Sequence, residues 1–149
     1  MVVSDIFLKR SVRKCQSSQR LGLPLAVDIP FWFDEKSYSN TLGKGRLSEW
    51  VIANMDFVTI MAYRDTAAGQ NGIIEHVRNE MNFAAAKNKK VSIGVETISS
   101  AEADFVSFYE EGEMYMWEQL DSTRSYYKQL SSFNGFAIHS LHGWMKLQP

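Results

Sequence analysis

The stretch VSIGVETISS, residues 91 to 100, has the pattern of a short buried strand that ends on a carboxylate, Glu96, just before a serine-rich turn. Short apolar runs rich in β-branched residues are typical of strands covered on both faces of a parallel sheet. In such sheets ligands bind at the carboxyl ends of the strands, where loops vary without disturbing the core. The stretch therefore predicts a parallel α/β fold in which Glu96 faces a ligand.

Three more segments share this strand-like character, and helical patterns separate them. The candidate strands are LAVDIPFWF (25–33), DFVTIMAY (56–63), KVSIGVET (90–97) and NGFAIHSL (134–141). Apolar residues at three- and four-residue spacings predict helices over 47–55, 72–90 and 113–133, and a further helix over 5–22 closed by Gly22. The order α-β-α-β-α-β-α-β favours right-handed crossovers and a four-stranded parallel sheet. Residues 36–46 are predicted to form a surface loop.

The composition indicates one globular domain and excludes several classes of partner. The 149 residues are 45% hydrophobic, and 16 basic against 17 acidic side chains leave a net charge of −1. Because no Lys/Arg run forms a stripe, nucleic acid is not an expected partner. No apolar run is long enough for a membrane span and no export signal is evident, so we expect a soluble protein, cytoplasmic by default. Cys15 is the single cysteine, which rules out an internal disulfide.

The alternation of side chains along each predicted strand separates an aliphatic face from a mixed face. The aliphatic face suits packing against helices. The mixed face carries a set of polar groups: Asp28, Thr59, Tyr63, Ser92, Glu96 and His139. Further polar and aromatic residues lie at strand ends: Trp32, Arg64, Asp65, His142 and Trp144. We interpret Glu96, Asp28 and Tyr63 as the polar centre of a candidate site.

Each candidate residue also has a structural interpretation. Asp28 fits a buried carboxylate that backbone donors satisfy. Glu96 fits a cap on the following turn, where Ser99 or Ser100 begins a predicted capping box with a later acid. Tyr63 fits an ordinary core residue. The aromatic rings at strand ends fit volume filling, although they are also what a platform for sugar rings requires.

The sequence predicts no metal and no cofactor. His139 and His142 are three residues apart at a strand end, so they point to opposite faces, and His76 is on a predicted helix. Gly43-Lys44-Gly45 follows a loop and fits no nucleotide-binding fingerprint, since no glycine-rich phosphate loop follows any strand.

Taken in order, VDIPFWF, VTIMAYRD, SIGVET and GFAIHSLHGW resemble the last four strands of a glycosidase-type (β/α)8 barrel. The similarity is strongest to chitinase-like barrels of glycoside hydrolase family 18, through Met61-Ala62-Tyr63 and Trp144, and it spans about residues 22–146. It implies that the chain is the four-stranded, carboxyl-terminal half of a TIM barrel, an incomplete barrel in a single segment. It also implies that Tyr63 holds the reacting group and Trp144 floors the sugar pocket.

The wider clan of retaining barrels implies a different role, with Glu96 as nucleophile at the end of the seventh strand. Glycoside hydrolysis usually needs two carboxyl groups, and in both families the proton donor comes from the fourth strand. The chain is expected to begin after that strand, and no Asp-x-x-Asp-x-Asp-x-Glu series occurs in it. Asp28 and Glu96 form the one replacement pair that we consider.

Three functional hypotheses follow. The first is a glycoside hydrolase-like segment that binds or hydrolyses carbohydrate as part of a complete barrel, with Trp32, Arg64, His139 and Trp144 contacting the substrate. The second is a non-catalytic barrel that binds a saccharide or a protein. The third is a self-associating scaffold of flavodoxin-like type whose polar face is core. A half-barrel leaves two open sheet edges, so we also expect self-association.

Overall fold

Four parallel strands with helices between them form the body of the protein, as the computed structural model shows for residues 3–149. The helices are α1 (Val3–Leu21), α2 (Leu47–Asn54), α3 (Ile73–Ala86), α4 (Glu113–Tyr127) and α5 (Leu141–Trp144). The strands are β1 (Ala26–Pro30), β2 (Ser37–Asn40), β3 (Gly43–Arg46), β4 (Phe57–Met61), β5 (Val91–Glu96) and β6 (Phe133–His139). Single 3-10 turns cover Phe31–Glu35 and Asp104–Val106.

The main sheet has the order β1-β4-β5-β6, and every neighbouring pair is parallel. Strands adjacent in this sheet are also consecutive among the four along the chain, which is the order found along one side of a barrel. The predicted α/β class and the four-stranded parallel sheet are thus confirmed, with a half-barrel-like arrangement. The order never reverses, unlike the strand order of the flavodoxin-like alternative.

The aliphatic face of the sheet forms the core, as the alternation predicted. Ile29, Ile60, Ile93 and Val95 are fully buried. The helices α2, α3 and α4 pack on this face, and α3 contributes Val77 to the same cluster. Burial of these side chains is the main source of stability, at about 25 cal/mol per Å² of apolar surface removed from water.

The first helix ends where its sequence predicted. Gly22 has φ of 64°, in the left-handed region that glycine adopts without strain, and it closes α1. Beyond it the chain enters β1. The ring of Phe7 on α1 packs edge-on against Phe33, with centroids 5.5 Å apart, and Leu8 is fully buried. None of the helices in the described range has the length and apolar character needed to cross a membrane.

The segment 36–46, predicted as a surface loop, is instead the antiparallel hairpin β2–β3. Gly43 takes φ of 115° at its turn, and the amide of Leu42 donates to Oδ1 of Asn40. The prediction was wrong because the turn residues were recognised but the strands beside them, SYSN and GKGR, lack the apolar alternation that marks a strand. The hairpin lies between β1 and α2 and adds nothing to the main sheet.

The mixed face of the sheet is open to solvent, so the structural interpretation of Asp28 as a buried carboxylate is wrong. Asp28 is exposed, Phe57 is 57% exposed, and Thr59, Met61 and Ser92 are partly exposed. The helices that pack on the described sheet lie against the opposite face. The residues that a closed barrel would turn inward are therefore the ones left uncovered here.

Candidate functional site

The carboxylate of Glu96 is held at the carboxyl end of β5 by three N–H donors. Its Oε1 accepts hydrogen bonds from the amides of Thr97 and Ile98, at 2.8 and 2.9 Å. Its Oε2 lies 2.8 Å from Nδ1 of His139, which donates because an ionised carboxylate only accepts. The side chain is 13% exposed, so the carboxylate is positioned firmly yet remains accessible to a ligand.

The structural interpretation of Glu96 thus accounts for one of its two oxygens. Oε1 caps the turn that follows β5, as that interpretation expected. The capping box predicted at Ser99 or Ser100 does not form, because no α-helix begins there; Oγ of Ser100 accepts instead from the amide of Glu102, at 3.1 Å. Oε2 is left to bond with an exposed histidine.

Tyr63 and His139 lie side by side at the same edge of the sheet. Their rings are stacked, with centroids 6.3 Å apart and planes inclined by 22°. Partial burial raises the pKa of Tyr63, and the negative charges of Glu96 and Asp28 raise that pKa further. The phenol consequently keeps its proton at neutral pH and can donate a hydrogen bond to a bound ligand.

Glu96 and Tyr63 line one shallow cavity of about 280 Å³. The remaining lining residues come from the loop after β5: Ile98, Ser99, Ser100, Glu102 and Val106. Hydroxyl and carboxyl groups together with a tyrosine ring are the donors and acceptors that a small polar ligand needs. Glu96 and Tyr63 thus share a cavity, which agrees with the prediction that both side chains belong to the mixed face of the sheet.

Glu102 is the residue of this cavity that sequence reasoning missed. It lies six residues after Glu96 and brings a second carboxyl group to the same lining. The capping box predicted at Ser99 or Ser100 gives a structural role to the acid that follows, and the sequence therefore predicts no ligand role for Glu102. A loop of this kind has no periodicity from which the direction of a side chain can be read.

The other predicted site residues lie apart from the cavity. Asp28 is on the open face of the sheet. Trp32 is in the 3-10 turn, where the amine of Lys36 lies 5.5 Å from its ring centroid. Trp144 faces the helices, since its indole N–H donates to Oε1 of Glu113 at 2.8 Å and its ring packs against Trp117.

Arg64 is near the site but is enclosed by aromatic rings. Its guanidinium lies between Phe31 and Phe105, with Cζ 5.0 and 5.2 Å from the ring centroids. Nε donates to Oδ1 of Asn71 at 3.0 Å, and an Nη donates to the carbonyl of Tyr63 at 2.6 Å. Burial lowers the pKa of Arg64. Arg64 therefore positions the backbone of Tyr63 through its own contacts.

No family model, no curated protein and no solved structure matches the chain. Among residues 3–149, no group of three or more His, Cys, Asp or Glu side chains is placed to hold a metal ion. The site is therefore interpreted from its own geometry.

The close approach of Gly143 to the turn after β5 gives a first prediction. A Cβ at this position would lie 2.5 Å from Oγ1 of Thr97 and 2.9 Å from its carbonyl oxygen. Oγ1 cannot easily move, because Thr97 bonds to the carbonyl of His139 through both Oγ1 and its amide. We expect Gly143→Ala to destabilise the protein by about 1–3 kcal/mol in urea unfolding.

Gly45→Ala is the matched control for this substitution. Its Cβ would meet the ring of Tyr38 at 3.6 Å, an ordinary contact. We expect the control to change the free energy of unfolding by less than about 1 kcal/mol. Equal stability of the two variants would contradict the tight packing of α5 against Thr97.

Proposed function

We propose that this chain forms one saccharide-binding half of a glycosidase-like (β/α)8 barrel, the half that resembles the carboxyl-terminal strands five to eight. One observation carries the proposal: a carboxylate held by three N–H donors lies beside a tyrosine, in an open cavity at the carboxyl edge of a parallel sheet. Ligand sites of α/β barrels lie at that edge. The resemblance of the four strands to a glycosidase barrel supports the same class of ligand.

Each residue of the cavity has a role in this proposal. Glu96 accepts hydrogen bonds from sugar hydroxyls and, in a complete barrel, either attacks the anomeric carbon as the nucleophile or takes a proton from the water that attacks it, while a second carboxyl group protonates the leaving oxygen. Tyr63 donates its phenolic hydrogen to the ligand. Hydrolysis requires a second carboxyl group as proton donor. Glu102 brings one to the same cavity, whereas Asp28 lies on the open face.

A non-catalytic saccharide-binding protein is the second candidate function. It is favoured by the solvent exposure of Glu102, because a general acid that is protonated at neutral pH is usually shielded from water. Under this alternative the cavity binds the same ligand class and leaves the glycosidic bond intact.

Calorimetric titration with chito- and cello-tetraose tests the proposal. We expect binding to the wild-type chain and a loss of about tenfold or more in affinity for Glu96→Gln, since a charge-assisted hydrogen bond to the ligand is removed. The substitution keeps the shape of the side chain, and Gln Oε1 can still accept from Thr97 and Ile98. Unchanged circular dichroism will show that the fold is retained.

Glu110→Gln is the control, because Glu110 is exposed and does not line the cavity. We expect it to bind with wild-type affinity. Absence of binding by the wild type, or equal affinity of the two variants, would contradict a saccharide site at Glu96. Release of new reducing ends during the same incubation separates hydrolysis from binding alone.

A further inference from the structure

The uncovered face of the sheet is the strongest unexplained feature of the protein. Parallel sheets are normally covered on both faces, because their strands are apolar on both sides. Here one face packs against α2, α3 and α4. The opposite face presents Phe57 to solvent together with parts of Thr59 and Met61. Phe57 is the first residue of β4, and a large apolar ring exposed on the uncovered face of a parallel sheet indicates that another layer covers it.

Both edges of the sheet carry apolar surface that a further strand would cover. Within the described residues, β1 and β6 each have a single partner strand. A groove of about 560 Å³ runs beside β1 and is lined by Phe7, Leu25 and Val27, among others. At the other edge, Phe136 and Ile138 of β6 are apolar and partly buried. One edge thus offers an apolar groove and the other offers apolar side chains that fit such a groove.

The exposed area is large for a chain of this size. A folded monomer of 17.0 kDa exposes about 7,700 Å² according to the scaling of area with mass. This chain exposes 8948 Å². The excess of about 1,200 Å² exceeds the ~800 Å² that each partner buries in a standard protein interface. The chain as a whole therefore exposes an excess area of the size that each partner of a stable dimer buries.

We propose that a second copy of this chain covers the open face and closes an eight-stranded parallel barrel. In this dimer β6 of each copy pairs with β1 of the other, so the two contacts are related by a twofold axis along the barrel. Closure of the barrel encloses the exposed ring of Phe57, together with the other side chains of the open face, in the barrel interior. It also places the apolar residues of β6 against the groove beside β1.

The dimer also deepens the proposed function, and this part rests on that function. A twofold axis along the barrel brings the carboxyl ends of all eight strands to one mouth, where each copy contributes its own Glu96. The mouth then holds carboxylates from both copies, and a pair of carboxyl groups is the residue set that glycoside hydrolysis uses. One saccharide is bound for every two chains.

Sedimentation equilibrium on the purified chain tests the dimer without any ligand. At about 50 µM we expect the wild type to have twice the mass of 17.0 kDa, because interfaces of this size give stable dimers. We expect Phe57→Glu to sediment as a monomer, since it places a charge inside the closed barrel. Tyr126→Glu is the matched control: Tyr126 is also 57% exposed but lies on α4, and this variant remains a dimer.

Ile6→Glu provides an independent test should Phe57→Glu fail to fold. Ile6 lines the groove beside β1 from α1, where it is 39% exposed, and its substitution also yields a monomer. A monomeric wild type with native circular dichroism overturns the proposal, and so does a dimer that survives both substitutions. Because mass is measured without saccharide, a dimer that binds no sugar refutes the proposed function and leaves the interface standing.

Discussion

Replacing Glu80 by glutamine is expected to raise the free energy of unfolding by roughly 3–5 kcal/mol above pH 8, and to leave it nearly unchanged below about pH 4.5. Glu80 lies on α3 and is 1% exposed. Neither carboxylate oxygen has a hydrogen bond of good geometry among the described residues, although the hydroxyl of Ser48 lies near enough to lower the pKa of Glu80. A buried, unpartnered carboxylate is costly when ionised.

Burial is the main cause that raises the pKa of Glu80 from 4.5 to about 8, and the negative charge of Asp34 adds to it. A backbone hydrogen bond, the positive charge of Arg46 and the hydroxyl of Ser48 act in the opposite direction and lower this pKa. Between these two pH values the unfolded chain has lost its proton while the folded chain keeps it, so stability falls as pH rises. Above about pH 8 the loss is complete. Each unit of pKa shift corresponds to about 1.36 kcal/mol, so the rise in the pKa of Glu80 from 4.5 to about 8 corresponds to the expected gain of roughly 3–5 kcal/mol in the free energy of unfolding.

Urea unfolding at about pH 5, 7 and 9 measures this effect. We expect the difference between Glu80→Gln and the wild type to grow steadily over that range, since glutamine does not ionise. Glu118→Gln, at an exposed position on α4, is the control, and its difference should stay within about 0.5 kcal/mol at every pH. A Glu80→Gln curve parallel to the wild type would show that Glu80 is ionised or hydrated in the fold.

Phe108→Ala is expected to cost about 3–5 kcal/mol, a large part of the stability of a domain of this size. Phe108 is fully buried and is the largest such side chain in the described core. Its amide also donates to the carbonyl of Glu96 at 3.0 Å, so the ring anchors the loop that forms one wall of the cavity. Truncation leaves a cavity that the surrounding helices cannot fill.

Phe105→Ala, three residues earlier in the same loop, is the matched control. Phe105 is 47% exposed and contacts Arg64 through its ring face. Loss of that contact should cost no more than about 1 kcal/mol. Chemical unfolding of both variants compares them directly, and similar values would contradict the assignment of Phe108 to the core.

Most of the fold could be predicted from the sequence because each strand carries its own pattern. Ile60 and Ile93 alternate with Thr59 and Ser92. Both isoleucines are buried against helices, while both polar residues lie on the open face of the sheet. The period of two forces this separation in any extended segment. The hairpin at 37–46 was missed because its strands are short and polar, and a strand of that kind has no apolar face to detect.

The candidate site could be predicted in part. The positions of Glu96 and Tyr63 at one edge followed from parity and from the shared direction of parallel strands. Their neighbours depend on turns and loops, where no period applies. Trp144 follows β6 closely, yet its indole bonds to Glu113 across the helix layer. Glu102 enters the cavity from a loop whose path the sequence does not encode locally.

The sequence by itself determined where the four parallel strands lie, which face of each of these strands is aliphatic, and that Glu96 ends the third of them. These features depend on local periodicity and not on contacts with other parts of the chain. Only the tertiary structure decided that no helix of the described residues covers the mixed face, that His139 bonds to Glu96, and that Glu80 is buried without a hydrogen bond of good geometry. Such features arise from contacts between residues distant in the chain, and these depend on how the elements pack.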